Sequence, residues 1–269
     1  MEKSDVLFNL VGIKFGYKDE IVYFQFNLEV LRDKITVIMG PSGCGKSTLL
    51  GLMTAQLEPD EGTVFFDGDS LSKLSQRDLY SIRRRVGMMF QNNALLSDLT
   101  VFENVAFPVR ENSKMTDSLI RNLVLMKLQM VGLRGAAQLM PEMLSGGMAR
   151  RVALARSLAL DPDLIFYDEP FTGLDPISKG IIVRLIKDTN TVSGATSVVV
   201  TQDVSEGLTI ADQVIILSKG QVVAIGAPSD VVKSNNAEVR QFLNAEPDGP
   251  LPFHYPAPNY EEQLISTHR

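Results

Sequence analysis

Short apolar runs rich in β-branched residues alternate with longer stretches of helical periodicity along most of the chain. Five of the runs are apolar on both faces and are predicted to be buried strands: Ile35 to Met39, Val86 to Phe90, Leu164 to Tyr167, Ser197 to Val200 and Val214 to Leu217. Strands that alternate with helices in this way are typical of a sheet covered on both sides. The pattern therefore predicts an α/β core.

Two segments interrupt this alternation. Residues 92–159 contain no comparable strand and are predicted to be a mostly helical insertion between two strands. Its breaks are expected at turn-forming residues, namely Pro108, Gly132, Gly135 and Pro141. Before Gly40, the stretch IVYFQFNLEV alternates apolar and polar side chains, which predicts an antiparallel strand in a small edge sheet.

The composition changes after Ala245. The stretch EPDGPLPFHYPAPNYEEQL contains five prolines, which are incompatible with a packed helix or a central strand. We therefore expect a folded domain over residues 1–243 and an extended proline-rich tail over residues 244–269. Aromatic side chains in the tail offer anchoring contacts, and a disordered terminus is the open alternative. These side chains are Phe253, Tyr255 and Tyr260.

Composition and charge narrow the class of protein. The chain has 269 residues, of which 45% are hydrophobic and 22% charged, as in an ordinary globular protein. The net charge of −6 argues against nucleic-acid binding through a basic surface. No apolar run approaches the roughly 18 residues of a membrane helix, and the N-terminus lacks the pattern of a signal peptide, so a cytoplasmic location is expected. The single cysteine, Cys44, excludes an internal disulfide and a cysteine-cluster metal site.

The stretch GPSGCGKST fits the phosphate-loop pattern G-x-x-x-x-G-K-[ST] between a predicted strand and a predicted helix. In such a loop, backbone amides surround the β-phosphate, Lys46 neutralises the β- and γ-phosphates, and Ser47 offers a hydroxyl to Mg²⁺. The whole loop is therefore predicted to bind nucleotide: Gly40, Pro41, Ser42, Gly43, Cys44, Gly45, Lys46, Ser47 and Thr48. Because Cys44 lies near the helix N-terminus, a stabilised thiolate and protection from maleimide by Mg-ATP are expected.

The apolar strand LIFYDEP ends in two carboxylates. Asp168, at the carboxyl end of a parallel strand, is placed to hold Mg²⁺, and Glu169 to orient or deprotonate the attacking water. Gln91 follows another strand and offers an amide oxygen to the metal or the water, although spacing alone does not select it.

A second anion-binding turn occurs in LSGGMARRVALARSLAL, where a Ser-Gly-Gly turn opens a helix. Three arginines of this helix are interpreted as structural or interfacial rather than catalytic: Arg150, Arg151 and Arg156.

Seven motifs stand in the order found in the ATP-binding-cassette ATPases, and the resemblance covers about residues 6–243. The motifs are Tyr17, the phosphate loop, FQ at Phe90 and Gln91, LSGGM at Leu144 to Met148, LIFYDE at Leu164 to Glu169, GLD at Gly173 to Asp175 and TQD at Thr201 to Asp203. The resemblance implies an ATP-hydrolysing subunit with a RecA-like phosphate-loop core, an antiparallel β subdomain and a helical insertion subdomain. It also implies that Tyr17 stacks on adenine, Ser47 and Gln91 serve Mg²⁺, Asp168 organises the metal site and Glu169 is the catalytic base.

In this family two subunits meet head to tail, and the Ser-Gly-Gly turn of one covers the γ-phosphate bound by the other. The resemblance thus assigns four residues of this turn, together with Asp175, to nucleotide binding across a dimer interface: Ser145, Gly146, Gly147 and Met148. Because the chain has one copy of each motif, a homodimer with two equivalent composite sites is expected.

Two positions depart from the usual family pattern. Met148 replaces a glutamine, which is a mild change because backbone amides and Ser145 make most of the phosphate contacts. Gln202 replaces a histidine that serves catalysis, and a Gln amide donates a hydrogen bond but carries no charge. Whether Gln202 is native variation or an engineered change stays open.

Within the family, the stretches around Gln91 and Ser145 and the ending DGPLPFHYP resemble the ATPase subunits of the Mla phospholipid-transport systems, which maintain outer-membrane lipid asymmetry in Gram-negative bacteria. This resemblance implies a complex with two copies of a membrane permease, a periplasmic ring of lipid-binding subunits and a STAS-domain protein docked on each ATPase. It also implies that the proline-rich tail lies across the neighbouring ATPase subunit and steadies the dimer. The ATPase would then lie at the cytoplasmic face of the inner membrane, with the permease's coupling helix received by the helical insertion near Gln91. Transport direction and lipid preference do not follow from it.

Other functions stay open at this point. The chain can serve another importer or a lipoprotein-releasing complex, which the co-purifying permease would distinguish. A soluble cassette ATPase for iron–sulfur assembly or chromosome work is a second alternative, although the sustained heptads of chromosome-type members are absent. The third is a nucleotide-gated binding module that barely hydrolyses ATP, which Gln202 suggests.

Overall fold

The computed structural model describes residues 5–18, 20–251 and Asn259. These residues form ten strands: β1 (Val6–Tyr17), β2 (Glu20–Leu31), β3 (Ile35–Met39), β4 (Glu61–Phe66), β5 (Asp69–Ser70), β6 (Val86–Met89), β7 (Leu164–Asp168), β8 (Thr196–Thr201), β9 (Gln213–Ser218) and β10 (Gln221–Gly226). The α-helices within the same ranges are α1 (Lys46–Met53), α2 (Gln76–Arg84), α3 (Val101–Asn112), α4 (Asp117–Met130), α5 (Gly146–Ser157), α6 (Pro176–Ser193), α7 (Val204–Ile210), α8 (Pro228–Val231) and α9 (Ala237–Asn244).

The strands form two sheets. The larger has the order β10-β9-β3-β8-β7-β6, with β10 antiparallel to β9 and the other neighbours parallel. All five strands expected from the apolar runs lie in this sheet, so the α/β core is confirmed. The smaller sheet, β2-β1-β4-β5, is antiparallel, as the alternation before Gly40 predicted.

Alternation along the buried strands gives the large sheet two apolar faces. Ile38, Phe166 and Val198 belong to the core shared with α1 and the antiparallel sheet. Val37 and Val199, their neighbours in sequence, belong to a second core that contains α3, α4 and α5. Successive strand residues point to opposite faces, so a run that is apolar at every position is buried on both sides.

The helical insertion differs from prediction at Pro108. This residue lies inside α3 rather than at its end. Proline removes one helical hydrogen bond, but Val105 and Val109 on either side are buried, and their packing outweighs that loss. By contrast, α4 ends at Met130, two residues before Gly132, which has a φ of +71°. Pro141 begins a short 3₁₀ turn, as expected.

The chain after α9 turns back toward that helix. The Gln241 amide accepts a hydrogen bond from the Leu251 backbone N–H at 2.8 Å and donates one to the Leu251 carbonyl at 3.1 Å. Phe253, Tyr255 and Tyr260, the expected anchors of the tail, lie outside the described residues, and the division at residue 243 stays a prediction. No helix of the described part is both long and apolar enough to cross a membrane.

Parallel strands bring the candidate chemistry to one edge of the large sheet. Met39 pairs with Thr201 and Asp168 pairs with Val200, so β3, β7 and β8 end side by side. The residues that follow these three strands therefore meet at the carboxyl edge of the sheet, where α/β proteins bind ligands.

Candidate functional site

An open pocket of about 430 Å³ lies at this carboxyl edge. Its lining is drawn from both sheets and from the loops after β3, β6, β7 and β8. The lining residues are Tyr17, Glu20, Val22, Ser42, Gly43, Gly45, Lys46, Ser47, Thr48, Gln91, Asp168, Glu169, Val200 and Gln202. Eleven of the residues singled out in the sequence thus converge on one pocket, although they are spread from residue 17 to residue 202.

Glycines and a buried tyrosine shape the phosphate loop. Gly45 has a φ of +107°, and the Tyr23 hydroxyl donates a hydrogen bond to its carbonyl oxygen at 2.8 Å. A Cβ on Gly40 would lie 2.2 Å from the Leu217 carbonyl oxygen, so β9 leaves room there only for glycine. The loop is held from two sides, which leaves its amides fixed at the N-terminus of α1.

Lys46 lies at the mouth of this loop and is only 7% exposed. Its Nζ donates hydrogen bonds to the carbonyl oxygens of Gly40 at 2.7 Å and Pro41 at 3.0 Å. The ammonium is thereby fixed beside the loop amides, where a bound polyphosphate places its negative charge.

Cys44 faces away from the pocket, contrary to the expected reactive thiol. The residue is 4% exposed and packs in the core between the two sheets. Burial raises the pKa of the Cys44 thiol, with the Lys46 charge opposing this only in part. The expected thiolate stabilisation is wrong because desolvation outweighs the favourable charge.

Asp168 ends β7 beside Lys46. Burial raises the pKa of its carboxyl group, the neighbouring Glu169 raises it further, and Lys46 and Arg150 lower it. Burial and a neighbouring carboxylate make the ionised form of Asp168 unfavourable unless a cation is near. A bound metal ion would supply that cation, so the environment of Asp168 suits a metal ligand.

Glu169 is oriented by three hydrogen bonds to one carboxylate oxygen. Oε2 accepts from the Thr172 hydroxyl at 3.1 Å, the Thr201 hydroxyl at 3.3 Å and the Gln202 backbone N–H at 3.2 Å. The backbone of Glu169 has a φ of +46°, which turns its side chain out of the strand alternation that Asp168 follows. The two adjacent carboxylates can therefore serve different roles.

The donor set fits Mg²⁺. Ser47, Gln91 and Asp168 present a hydroxyl, an amide and a carboxylate oxygen to the same pocket, and Mg²⁺ prefers oxygen ligands. Among the described residues no cluster of three or more His, Cys, Asp or Glu side chains is arranged for a metal. The arrangement is instead that of a metal held by a few protein groups together with phosphate oxygens.

Tyr17 and Gln202 are the first and the last residues of the chain that line the pocket. The Tyr17 ring is 50% exposed, and its hydroxyl lies 3.4 Å from that of Thr48 in the phosphate loop. Gln202 follows β8 and its side chain lines the pocket. Its neighbour Asp203 forms an ion pair with Lys179 of α6.

The Ser-Gly-Gly turn lies outside this pocket. Ser145 caps α5, where its hydroxyl accepts a hydrogen bond from the Met148 N–H at 3.3 Å. Gly147 packs closely on Ser178, since a Cβ there would lie 2.7 Å from the Ser178 hydroxyl. Asp175 caps α6 through the N–H groups of Ile177 and Ser178, and hydrogen bonds from Ser178 lower the pKa of its carboxyl group. Ser145, Gly146, Gly147, Met148 and Asp175 are absent from the pocket lining.

The three arginines of α5 donate to backbone carbonyl oxygens. Arg150 binds Gln91 and Thr172, Arg151 binds Val131, and Arg156 binds Asn93 and Ala94. Burial lowers the pKa of Arg150 and of Arg156. These contacts agree with the structural role expected for the three side chains.

The family follows from the comparison of sequences. Residues 23–172 match the model of the ABC transporter family. The chain belongs to the ABC transporter family. The resemblance inferred from the seven motifs is thereby confirmed.

Two curated relatives match nearly the whole chain of this ABC protein. The intermembrane phospholipid transport system ATP-binding protein MlaF of Haemophilus influenzae is 52% identical over 260 residues, which cover 96% of this chain and 98% of that protein. MlaF of Escherichia coli K12 is 48% identical over 266 residues, covering 98% of this chain and 99% of that protein.

A solved ABC structure has the same fold. It is the dimeric ATP-binding cassette MJ0796 in a post-hydrolysis state bound to ADP and Pi, with a TM-score of 0.75 and 33% identity. The match covers 82% of this chain and 99% of the cassette. The expected ABC fold is confirmed.

Some residues of this ABC site were not found from the sequence. Glu20, Val22 and Val200 line the pocket, and Tyr23 supports it from behind. Their sequence signal is only strand alternation, which predicts the face a side chain occupies and not the neighbour it meets.

Proposed function

We propose that this protein is an ATP-hydrolysing subunit that dimerises head to tail and powers a membrane phospholipid transporter. The observation that carries the proposal is the convergence of Lys46, Asp168 and Glu169 on one pocket beside a glycine-rich loop at a helix N-terminus. This arrangement supplies phosphate binding, a metal ligand and a water-directed carboxylate. The near full-length similarity to two MlaF proteins supports phospholipid transport as the work that hydrolysis drives.

Binding uses groups that are already held in position. Tyr17 offers an exposed ring for stacking on adenine, and the amides of Gly43 to Thr48 point at the β-phosphate from the N-terminus of α1. Lys46 exchanges carbonyl oxygens of its own loop for phosphate oxygens. Ser47, Gln91 and Asp168 would hold Mg²⁺, which when bound would neutralise negative charge that develops on the phosphates.

Hydrolysis requires a water molecule in line with the γ-phosphate. Glu169 accepts a hydrogen bond from this water and takes its proton as the bond from the water oxygen to the γ-phosphorus forms. The bond between the γ-phosphorus and the oxygen that bridges it to the β-phosphate breaks in the same step, and ADP leaves with that oxygen. The three donors on Oε2 hold one carboxylate oxygen, which leaves Oε1 for the water. Gln202 donates an amide hydrogen bond to the γ-phosphate from the end of β8, without the charge of a histidine.

The second phosphate turn acts on the partner subunit's nucleotide. Ser145 and Gly146 are exposed at the start of α5, and neither they nor Gly147 line the pocket of their own chain. In a head-to-tail dimer they approach the γ-phosphate held by the partner, and Asp175 lies in the same interface. ATP then closes the dimer because only a triphosphate reaches both surfaces, and hydrolysis opens it.

The assembly that follows places the protein at the cytoplasmic face of the bacterial inner membrane, bound to a permease. Its further partners are a STAS-domain protein and, through the permease, a periplasmic lipid-binding subunit. A binding module with very slow turnover is the second candidate, and the histidine-to-glutamine departure at Gln202 favours it.

The proposal is tested by hydrolysis and nucleotide binding in matched variants. The parent protein is expected to hydrolyse Mg-ATP, Lys46→Ala to lose ATP affinity, and Glu169→Gln to keep ATP affinity while turnover falls by about 10²–10⁴-fold. Equal turnover in the parent protein and in Glu169→Gln would show that Glu169 is not the catalytic base. Turnover in the parent no higher than in Lys46→Ala would favour the slow binding module.

A further inference from the structure

We propose that Arg150 is a positioning residue that locks the Gln91 loop and the loop after Glu169 to the helix that carries the Ser145 turn. The inference rests on the proposed function, because it concerns the geometry of the Mg-ATP site. Arg150 does not itself reach the reacting atoms. Its guanidinium group instead joins three segments of the chain: α5, the loop at Gln91 and the loop at Thr172.

The guanidinium group of Arg150 bridges two loops of the site. Nη1 donates hydrogen bonds to the carbonyl oxygens of Gln91 at 2.6 Å and Phe90 at 3.4 Å, and Nη2 donates to the Thr172 carbonyl at 3.0 Å. Gln91 supplies a metal ligand, and Thr172 donates to the carboxylate of Glu169. One side chain therefore fixes the backbone next to both.

The guanidinium group of Arg150 is buried, and removing its charge from water costs free energy. Arg150 is only 5% exposed, and no carboxylate forms an ion pair with it among the described residues. A buried guanidinium group without an ion pair is unfavourable unless its charge is used. Its charge acts on Asp168 and Glu169, the two carboxylates of the site.

Arg150 also lies on the helix that begins at the Ser-Gly-Gly turn. It belongs to the second turn of α5, whose N-cap is Ser145. Helical hydrogen bonds make this segment rigid, so a shift of the Ser145 turn toward a partner's nucleotide moves the guanidinium group with it. The contacts to Gln91 and Thr172 then transmit that shift to the metal ligand and the base of the same subunit.

Arg151 provides a matched control. It is the next residue of the same helix and also donates to backbone carbonyl oxygens, those of Val131 at 3.0 Å and, one turn earlier in its own helix, Gly147 at 3.4 Å. Val131 follows α4 and has no part in the pocket. Arg150→Lys and Arg151→Lys therefore both keep the charge and lose the forked donor, but only the first removes the contacts to the Gln91 and Thr172 carbonyl oxygens.

The first readout is binding rather than turnover. In full-length protein carrying Glu169→Gln, the Mg²⁺ concentration that half-saturates binding of a fluorescent ATP analogue is measured for each lysine variant. Arg150→Lys is expected to raise this concentration about tenfold, since losing a group that orients a metal ligand costs about 10–100-fold in metal affinity or activity. Arg151→Lys is expected to leave it unchanged.

The second readout is turnover at saturating Mg-ATP without the Glu169 change. Arg150→Lys is expected to lower kcat about tenfold while the affinity for ATP in EDTA stays at the parent value. Arg150→Gln, which keeps one donor group, gives the same measurement if the lysine variant does not fold.

A thermal midpoint lowered equally in the Arg150 and Arg151 variants, with Mg²⁺ dependence and kcat unchanged, would overturn the proposal and leave Arg150 with a packing role alone. A parent protein without turnover would instead count against the proposed function, while the Mg²⁺ titration would still decide the role of Arg150.

Discussion

The contact between Tyr23 and Gly45 predicts how the phosphate loop responds to a single added methyl group. A Cβ on Gly45 would lie 2.6 Å from the Tyr23 hydroxyl oxygen and 2.9 Å from Cζ of the same ring. Gly45→Ala therefore combines backbone strain at positive φ, roughly 1–2 kcal/mol, with overpacking of about 1–3 kcal/mol. The expected loss in the free energy of unfolding is about 2–5 kcal/mol.

Gly43→Ala separates the two contributions. Gly43 also has a positive φ, +77°, but a Cβ there meets no atom within 4 Å. Its substitution is expected to cost only the backbone strain, roughly 1–2 kcal/mol. The difference between the two alanine variants therefore measures the overpacking of the added methyl group against Tyr23 and, at 3.1 Å, against Cγ1 of Val22.

A double-mutant cycle with Tyr23→Phe completes the test. The phenylalanine variant loses one hydrogen bond, about 1 kcal/mol, but removes the oxygen that is closest to the added methyl group. Gly45→Ala with Tyr23→Phe should thus cost at least about 1 kcal/mol less than the sum of the single changes, whereas Gly43→Ala with Tyr23→Phe should be additive. Because the chain has no tryptophan, urea unfolding is followed by far-UV circular dichroism. Additivity of the Gly45 pair within about 0.5 kcal/mol would refute the contact.

Three further outcomes are expected. Gln202→His should raise ATP turnover of the assembled complex with little change in ATP affinity, and a level or lower turnover at saturating Mg-ATP would make Gln202 a competent native solution. Cys44 should react with maleimide far more slowly in the folded protein than in urea, because the thiol is buried and its pKa is raised; equal rates would contradict its placement. Burial raises the pKa of Asp168, so the folded state binds that proton more tightly than the unfolded state and ionisation costs stability above this pKa. Asp168→Asn should therefore raise Tm at neutral pH, with a gain that shrinks on acidification, and should abolish Mg²⁺-dependent turnover; a gain independent of pH would exclude the ionisation argument.

The sheet and most of its ligand-binding edge were predictable from the sequence because they depend on local pattern. A run that is apolar at every position, such as Ile35 to Met39, has to be covered on both sides. Residues that follow parallel strands meet at one edge, which brought Lys46, Asp168 and Glu169 together.

Long-range packing explains what could not be predicted. Pro108 was expected to break a helix, but buried neighbours from the same helix keep α3 continuous. Cys44 was expected to be reactive because its position near α1 is visible in the sequence, whereas the core behind the loop is formed by distant strands. The roles of Tyr23 and Arg150 likewise depend on partners 22 and 59 residues away.

The central claim is that the phosphate loop of one subunit and the Ser145 turn of another bind the same ATP. It is tested most directly by size-exclusion chromatography of full-length Glu169→Gln protein with Mg-ATP or Mg-ADP, alone and combined with Ser145→Arg. A dimer is expected with Mg-ATP and a monomer with Mg-ADP. Ser145→Arg should remove the ATP-dependent dimer without weakening nucleotide binding to the monomer, because Ser145 is exposed and lies outside the pocket of its own chain. An ATP-dependent dimer that survives Ser145→Arg, or loss of nucleotide binding by the monomeric variant, would contradict the shared site.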